Sequence, residues 1–140
     1  MDETAIMTPQ PWMQVTETTE AKAALVCARL HLRNGKRRLQ KGLTAAGMTA
    51  LYDAVLFGMS YYIARHKRCA VLVENIDPLD AARLFYILAR TGVFEDPLTF
   101  NRFSLSVERM LWQPPVSSDT AEILAEVETM LARLGVIAIH

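Results

Sequence analysis

The chain has 140 residues, 51% of them hydrophobic, and its 15 basic residues balance its 15 acidic residues. This length predicts one domain that buries roughly two-thirds of the surface exposed by the unfolded chain, so a disulfide framework is not needed for stability. A formal net charge of zero gives no general reason to expect nucleic acid as a partner, although the charge is unevenly distributed along the chain.

The spacing of the cysteines and the length of the apolar runs indicate the cellular compartment of the protein. If the first two helices form an antiparallel hairpin that turns near Gly42, Cys27 and Cys69 lie on the order of 15 Å apart along it, beyond disulfide reach. The acidic sequence MDETAIM does not resemble a signal peptide, and Asp53 interrupts the best apolar run before it reaches the ~20 residues of a membrane span. We therefore expect a cytoplasmic protein that does not enter a membrane. Cysteines and histidines without ligand spacing predict no metal site, and no cofactor is expected.

Two prolines and the lack of a sustained hydrophobic period in residues 1–16 predict a flexible N-terminal arm. Residues 17–140 are expected to form a single helical-bundle domain, because apolar residues recur there at helical spacing. The first helix is expected to begin near Thr18 or Thr19 and to run to Gln40. Its apolar stripe consists of Ala21, Leu25, Ala28, Leu32 and Leu39.

The second half of this first helix is strongly basic. Six basic residues and no acidic residue lie from Arg29 to Lys41. One interpretation is a solvated helix end whose cations interact favourably with the negative end of the helix dipole. The other interpretation is a surface for RNA or phosphate, although the stretch lacks Phe, Tyr and Trp for base stacking. That surface consists of Arg33, Lys36, Arg37, Arg38 and Lys41. Gly35 lies inside the same helix, where a glycine costs about 1 kcal/mol relative to alanine.

Residues 43–66 are long, mostly apolar and free of proline, which predicts a central helix. Small residues at every fourth position form a ladder on one side, where another helix can approach closely. A helix that is apolar over most of its circumference is normally covered on most sides, either by helices of its own chain or by a second copy of the protein. The ladder consists of Ala46, Ala50, Ala54 and Gly58, and a narrow polar strip consists of Thr49, Asp53, Ser60 and Lys67.

Three further helices are expected in the second half of the chain, after a loop or single helical turn at residues 70–76. Asp77-Pro78 and Asp96-Pro97 each place a capping carboxylate before a proline at the first helical position. The last helix is expected to follow Asp119. A glutamate lies three residues further on, which is the spacing of a capping box. The expected spans are 78–90, 97–112 and 120–134.

The order of these segments resembles that of the HEPN family, named for higher eukaryotes and prokaryotes nucleotide-binding. The resemblance spans residues 20–134 and implies an all-α, up-and-down bundle of four main helices plus one shorter helix. It also implies a homodimer and, as a partner, a nucleotidyltransferase-like protein, in a family that includes metal-independent ribonuclease toxins and catalytically silent relatives. The matching segments are GLTAAGMTALYDAVLFGMSYYI, ARLFYILARTGVF, SLSVERMLW and DTAEILAEVETMLARLG.

The ribonuclease motif of that family is an arginine followed, after four to six residues, by a histidine. For the matching Arg109, the histidine would fall where this chain has Pro114, Pro115 and Val116. Without the histidine, no group at this position can transfer protons when a ribose hydroxyl attacks its neighbouring phosphate. Arg109 can still hold a phosphate, and Asp53 is expected either to face water or to pair with Arg109.

The resemblance therefore predicts a non-catalytic interaction or ligand-binding protein, accessory to an RNA- or nucleotide-handling partner. One alternative is a ribonuclease toxin of a toxin-antitoxin pair, with Arg109 and Asp53 in its catalytic site. The other alternative is a structural homo-oligomer without a ligand. His31 and His66 lack an arginine at the motif spacing and are interpreted as helix-surface or helix-end histidines.

Overall fold

The computed structural model describes residues 18–94, 96, 98–112 and 117–138. Over these residues the chain is helical and contains no strand, which confirms the all-α fold class. The expected arm at residues 1–16 lies outside the described part of the chain. The six helices are α1 (Thr19–Gln40), α2 (Thr44–Arg65), α3 (Lys67–Leu72), α4 (Ala81–Arg90), α5 (Thr99–Trp112) and α6 (Ser117–Arg133).

Helix α1 begins and ends where its local sequence predicts. Thr18 Oγ1 accepts a hydrogen bond from the Ala21 N–H at 3.0 Å, which satisfies one of the unpaired donors of the first turn. At the other end, Gly42 has a φ of +76°, and the Leu43 N–H donates to the Arg38 carbonyl at 2.8 Å. This arrangement ends the helix and returns the chain as α2. The predicted span of the first helix is therefore confirmed.

Two glycines lie where α1 packs against α2. A Cβ atom added to Gly35 would lie 2.7 Å from Leu51 Cδ2 and 3.2 Å from the Gly47 carbonyl oxygen. A Cβ atom added to Gly47 would lie 3.3 Å from the Gly35 carbonyl oxygen. Larger side chains at these positions would push the two backbones apart. Gly35, which local propensity marks as a weak point of α1, is thus a packing site that lets α2 approach.

Helix α2 lies at the centre and contacts each of the other five helices. Within the predicted ladder of small residues, Ala50, Ala54 and Gly58 are buried and Ala46 is exposed. Helices of the same chain therefore cover this side of α2, and a homodimer through the rest of its apolar surface stays a prediction. Of the helices in the described part of the chain, none has both the length and the apolar character needed to cross a membrane.

Helix α4 starts later than predicted. It begins at Ala81, because Asp80 rather than Asp77 caps it by accepting from the Arg83 N–H at 3.2 Å. Asp77 Oδ1 accepts instead from the Leu79 N–H at 2.9 Å, within a separate turn that precedes the helix. The aspartate before the proline therefore forms a turn, and the next aspartate takes over the capping role.

Helix α5 also starts a little later than predicted. Asp96 Oδ1 accepts from the Leu98 N–H at 2.8 Å, and Arg102 donates to Asp96 Oδ2 at 2.8 Å. The Leu98 N–H, followed by the Arg102 guanidinium, lowers the pKa of the Asp96 carboxyl below its ordinary value of 3.8. Asp96 thus forms the same kind of side-chain turn as Asp77 instead of the predicted helix cap, and the first residue of α5 is Thr99. Pro97 lies outside the described residues.

A cluster of aromatic rings holds α4 and α5 against α2. The Phe85 ring stacks on Phe94, with 4.2 Å between centroids, and on Phe100, with 5.1 Å between centroids. Tyr52 of α2 completes the cluster, with its centroid 5.9 Å from that of Phe100 and 6.1 Å from that of Phe103. All four phenylalanines are buried. The cluster fixes the position of α4, which forms one wall of the groove described next.

Candidate anion-binding groove

A groove of about 840 Å³ lies where the C-terminal end of α2 meets α3 and α4. Helix α2 ends here because His66 adopts an extended backbone, with φ −124° and ψ 101°, before the chain resumes as the short helix α3. Residues 70–72 are thus helical, in keeping with the helical-turn alternative for residues 70–76. The groove is lined by Tyr62, His66, Arg68, Cys69, Leu72, Ile87, Arg90 and Thr91.

The charged side chains that line this groove are cationic. Arg68 lies on α3 and Arg90 lies in the last turn of α4, and both are exposed. Neither guanidinium forms an ion pair with a carboxylate of the described residues. No lining residue is acidic. Arg90 also lies at the negative end of the α4 dipole, where a cation is stabilising, so part of its role is structural. Together with Arg68 it also gives the groove a positive potential.

His66 is held in one orientation at the edge of the groove. Its Nδ1 lies 2.8 Å from the Tyr62 carbonyl oxygen, and its ring stacks on the Tyr62 ring with 4.0 Å between centroids. A carbonyl oxygen only accepts, so Nδ1 carries the hydrogen and donates it. The neutral ring therefore has Nε2 as an acceptor, and the doubly protonated ring has Nε2 as a donor. The prediction that His66 is a helix-end histidine is correct for its backbone position.

The thiol in the groove is not an activated nucleophile. Cys69 is buried, and this burial raises the pKa of its thiol above the ordinary value of 9.0, although the hydrogen bond with Thr91 and the charge of Arg68 act in the opposite direction. The thiol is therefore protonated at neutral pH, and a protonated thiol is a poor nucleophile and a poor metal ligand. Cys27 and Cys69 are both free, as expected from their predicted separation.

The described residues do not assemble a metal site, since they contain no group of three or more His, Cys, Asp and Glu side chains that could hold an ion. The groove illustrates the reason: it contains one imidazole and one protonated thiol, both beside guanidinium groups. Two nearby cations disfavour a third, so the electrostatics of the groove suit an anion instead.

Arg109 and Asp53 are the residues of the predicted catalytic alternative. Arg109 is exposed on α5 and Asp53 is half-buried on α2, and the structure shows no ion pair between these two described residues. No member of the polar strip is buried: Thr49 is exposed and Asp53 and Ser60 are half-buried on α2, and Lys67 is exposed on α3. Asp53 does influence its neighbour Tyr52, whose pKa is raised first by burial and then by the charges of Asp80 and Asp53. Pro114, Pro115 and Val116 lie outside the described residues.

The predicted basic surface on α1 is partly engaged within the chain. Lys36 Nζ lies 3.1 Å from Glu128 Oε2, which joins α1 to α6. Arg38 donates to the Ala46 carbonyl at 3.4 Å. The remaining members are exposed, and no member of the basic surface lines the groove: Arg33, Arg37 and Lys41. This surface as an RNA or phosphate site stays a prediction.

Sequence reasoning missed the groove although part of its signal was present. Tyr62 and His66 are four residues apart, a spacing that stacks side chains on one helix face. Arg68 belongs to the short basic cluster at residues 65–68, for which the sequence predicted no function. Arg90 and Thr91 reach the groove only because the aromatic cluster packs α4 beside α2, and no local pattern reveals that contact.

The buried titratable groups around the groove predict a loss of stability at alkaline pH. Burial is the largest cause that raises the pKa values of Cys69 and Tyr62 above their ordinary values of 9.0 and 10.0. A raised folded-state pKa means that the stabilising contribution is complete below the unfolded pKa and is lost as the pH rises through the folded pKa. We expect the urea midpoint to fall above about pH 9, and to fall less in Tyr62→Phe. An equal alkaline loss in Tyr62→Phe and the wild type would contradict the assignment for Tyr62.

Comparison of this chain with family models, with curated proteins and with solved structures finds no match.

Proposed function

We propose that the protein is a non-catalytic binding protein that holds a small anionic ligand in the groove between α2, α3 and α4. The observation that carries this proposal is the pair of guanidinium groups, Arg68 and Arg90, on a groove without acidic lining. Guanidinium groups bind phosphate and carboxylate oxygens through two parallel hydrogen bonds, and they are weakly hydrated. Both arginines are exposed in the free protein, so a ligand that enters the groove from solvent can reach them.

The size and the remaining lining of the groove restrict the ligand further. A volume of about 840 Å³ falls in the usual range for small-molecule sites and exceeds the needs of a lone phosphate. Leu72 and Ile87 supply apolar surface, and Tyr62 and His66 supply stacked rings. A ligand with an anionic group and an apolar or aromatic part satisfies both kinds of surface. Nucleotides belong to this class, which agrees with the expected accessory role beside a nucleotide- or RNA-handling partner.

The groove favours binding over catalysis. Its thiol is protonated at neutral pH, and no carboxylate lines it to act as a general base. His66 Nδ1 is committed to a backbone carbonyl, so the imidazole lacks the carboxylate partner that orients many catalytic histidines. The ribonuclease alternative gains no support, since Arg109 and Asp53 form no ion pair. Membership of the HEPN family, with its up-and-down bundle and nucleotidyltransferase-like partner, stays a prediction.

We expect Arg90→Gln to weaken anion binding by about tenfold or more, since a charge-assisted hydrogen bond contributes roughly 1.5–3 kcal/mol. Isothermal titration of the full chain with inorganic phosphate, pyrophosphate and AMP, at constant ionic strength, measures this effect. Arg83→Gln is the matched control, because Arg83 is also exposed on α4 and does not line the groove.

The proposal requires that Arg83→Gln retain wild-type affinity and that Arg68→Gln resemble Arg90→Gln. Equal affinities for Arg90→Gln and Arg83→Gln would place the anion elsewhere. No measurable binding of any of the three anions by the folded wild type would also reject the proposal.

A further inference from the structure

The groove contains a third side chain that can become cationic. His66 lines it together with Arg68 and Arg90, and its ring is held by two contacts with Tyr62. Nδ1 lies 2.8 Å from the Tyr62 carbonyl oxygen, and the two rings stack. Because Nδ1 carries the hydrogen of this bond, Nε2 is the one nitrogen of the ring left for a ligand. The protonation state of Nε2 therefore decides whether His66 repels or binds an anionic oxygen.

The other titratable side chains that line the groove keep their charge near neutral pH. Arg68 on α3 and Arg90 on α4 stay protonated, because the pKa of a guanidinium lies above about 12. Burial raises the pKa of Cys69 on α3 and of Tyr62 on α2 above their ordinary values of 9.0 and 10.0, so both stay neutral. Imidazole alone among these side-chain types titrates ordinarily between about pH 5 and pH 8. A change of anion affinity in that range therefore points to His66.

The charged residues next to His66 in the sequence are cations as well. The Arg65 guanidinium lies over the Tyr61 ring, 4.7 Å from its centroid, and Lys67 is exposed at the start of α3. Both keep their charge at neutral pH. No acidic side chain lines the groove. An anion that enters the groove is therefore the group that stabilises a positive charge on the imidazole.

We propose that His66 is the third anion-binding group of the groove, and that it binds as the doubly protonated ring, so that ligand binding is coupled to uptake of a proton at Nε2. The inference rests on the proposed function, because it concerns the same anion in the same groove. The proton comes from solvent, and the new N–H at Nε2 donates to an anionic oxygen of the ligand. By linkage, the affinity for the anion must then rise as the pH falls. An imidazolium beside two guanidinium groups also favours a dianionic head group over a carboxylate.

Isothermal titration of the full chain with sulfate, at about pH 5.5 and at about pH 8, tests the coupling. Sulfate is the suitable probe because it stays a dianion at both pH values, whereas phosphate changes its own charge between them. At constant ionic strength, we expect the wild type to bind sulfate about tenfold more tightly at the lower pH, the effect of one added charge-assisted hydrogen bond. Titration in two buffers that differ in ionisation enthalpy measures the proton taken up with the sulfate.

His66→Asn removes the titrating nitrogen and keeps a donor for the Tyr62 carbonyl, because the asparagine amide nitrogen takes the place of Nδ1. Its sulfate affinity should differ by less than about twofold between the two pH values, without proton uptake. His31→Asn is the matched control. His31 is a half-buried histidine of α1 that stacks on Phe57, with 5.3 Å between centroids, and does not line the groove. This variant should keep the pH dependence of the wild type, and circular dichroism verifies that both variants are folded.

The role of His66 and the anion site itself fail in different ways. Sulfate binding that is weakened by Arg90→Gln but equal at the two pH values would keep the site and overturn the role of His66. The same conclusion follows if His66→Asn retains the pH dependence of the wild type, or if His31→Asn loses it. A folded wild type that binds no sulfate at either pH would overturn both proposals.

Discussion

Replacement of Phe100 by alanine is expected to lower the free energy of unfolding by about 3–5 kcal/mol. Phe100 is 2% exposed, and its ring centroid lies within 6.0 Å of those of Tyr52, Phe85 and Phe103. The substitution removes apolar contacts and leaves a cavity that neighbouring rings fill only partly, because the cluster joins three different elements. Urea denaturation followed by circular dichroism at a low protein concentration measures the loss.

Tyr86→Ala is the control for this prediction. Tyr86 lies on α4 next to Phe85 in sequence but is 58% exposed, so its truncation should change stability by less than about 1 kcal/mol. The comparison separates the loss of a buried ring from the general effect of removing an aromatic residue. Similar losses for Phe100→Ala and Tyr86→Ala would show that the aromatic cluster is not the core described above.

The second large effect is expected from Gly58→Leu, which should destabilise the fold by about 3 kcal/mol or more. A Cβ atom at this position would already lie 2.8 Å from Leu131 Cδ2 and 3.1 Å from Leu134 Cδ1. Both leucines are completely buried, so they have no free space into which to move. The favourable helix propensity of leucine over glycine, about 1 kcal/mol, is too small to compensate. Urea denaturation measures the net change.

Ala125→Leu provides the matched control, because Ala125 is exposed on α6 and gains a side chain of the same kind without a clash. Its stability should change by no more than about 0.5 kcal/mol. Leu131→Ala in the Gly58→Leu background should recover part of the lost stability, since it removes the nearest clashing atoms. Strictly additive losses in this double-mutant cycle would exclude the contact as the cause.

Local sequence was sufficient for the helices because their boundaries depend on interactions between near neighbours. Thr18 caps α1 through a residue three positions away, and the turn around Gly42 closes through hydrogen bonds of similar range. The same rule explains the partial error at α4. Asp77 and Asp80 are both of a residue type that caps helices. The Asp77 side chain accepts from the N–H two residues on, which forms a turn, whereas the Asp80 side chain accepts from the N–H three residues on, which starts the helix.

The chain therefore determines by itself that the protein is all-α and where its long helices lie, since hydrophobic periodicity and capping are local properties. Only the tertiary structure decides the function of Gly35, because its cost within α1 is visible locally whereas its contact with α2 is not. The same holds for the groove: Tyr62 and His66 are neighbours on one helix, but Arg90 joins them through packing of the aromatic cluster. Such contacts depend on how side-chain volumes fit between helices, and that fit involves residues far apart in the sequence.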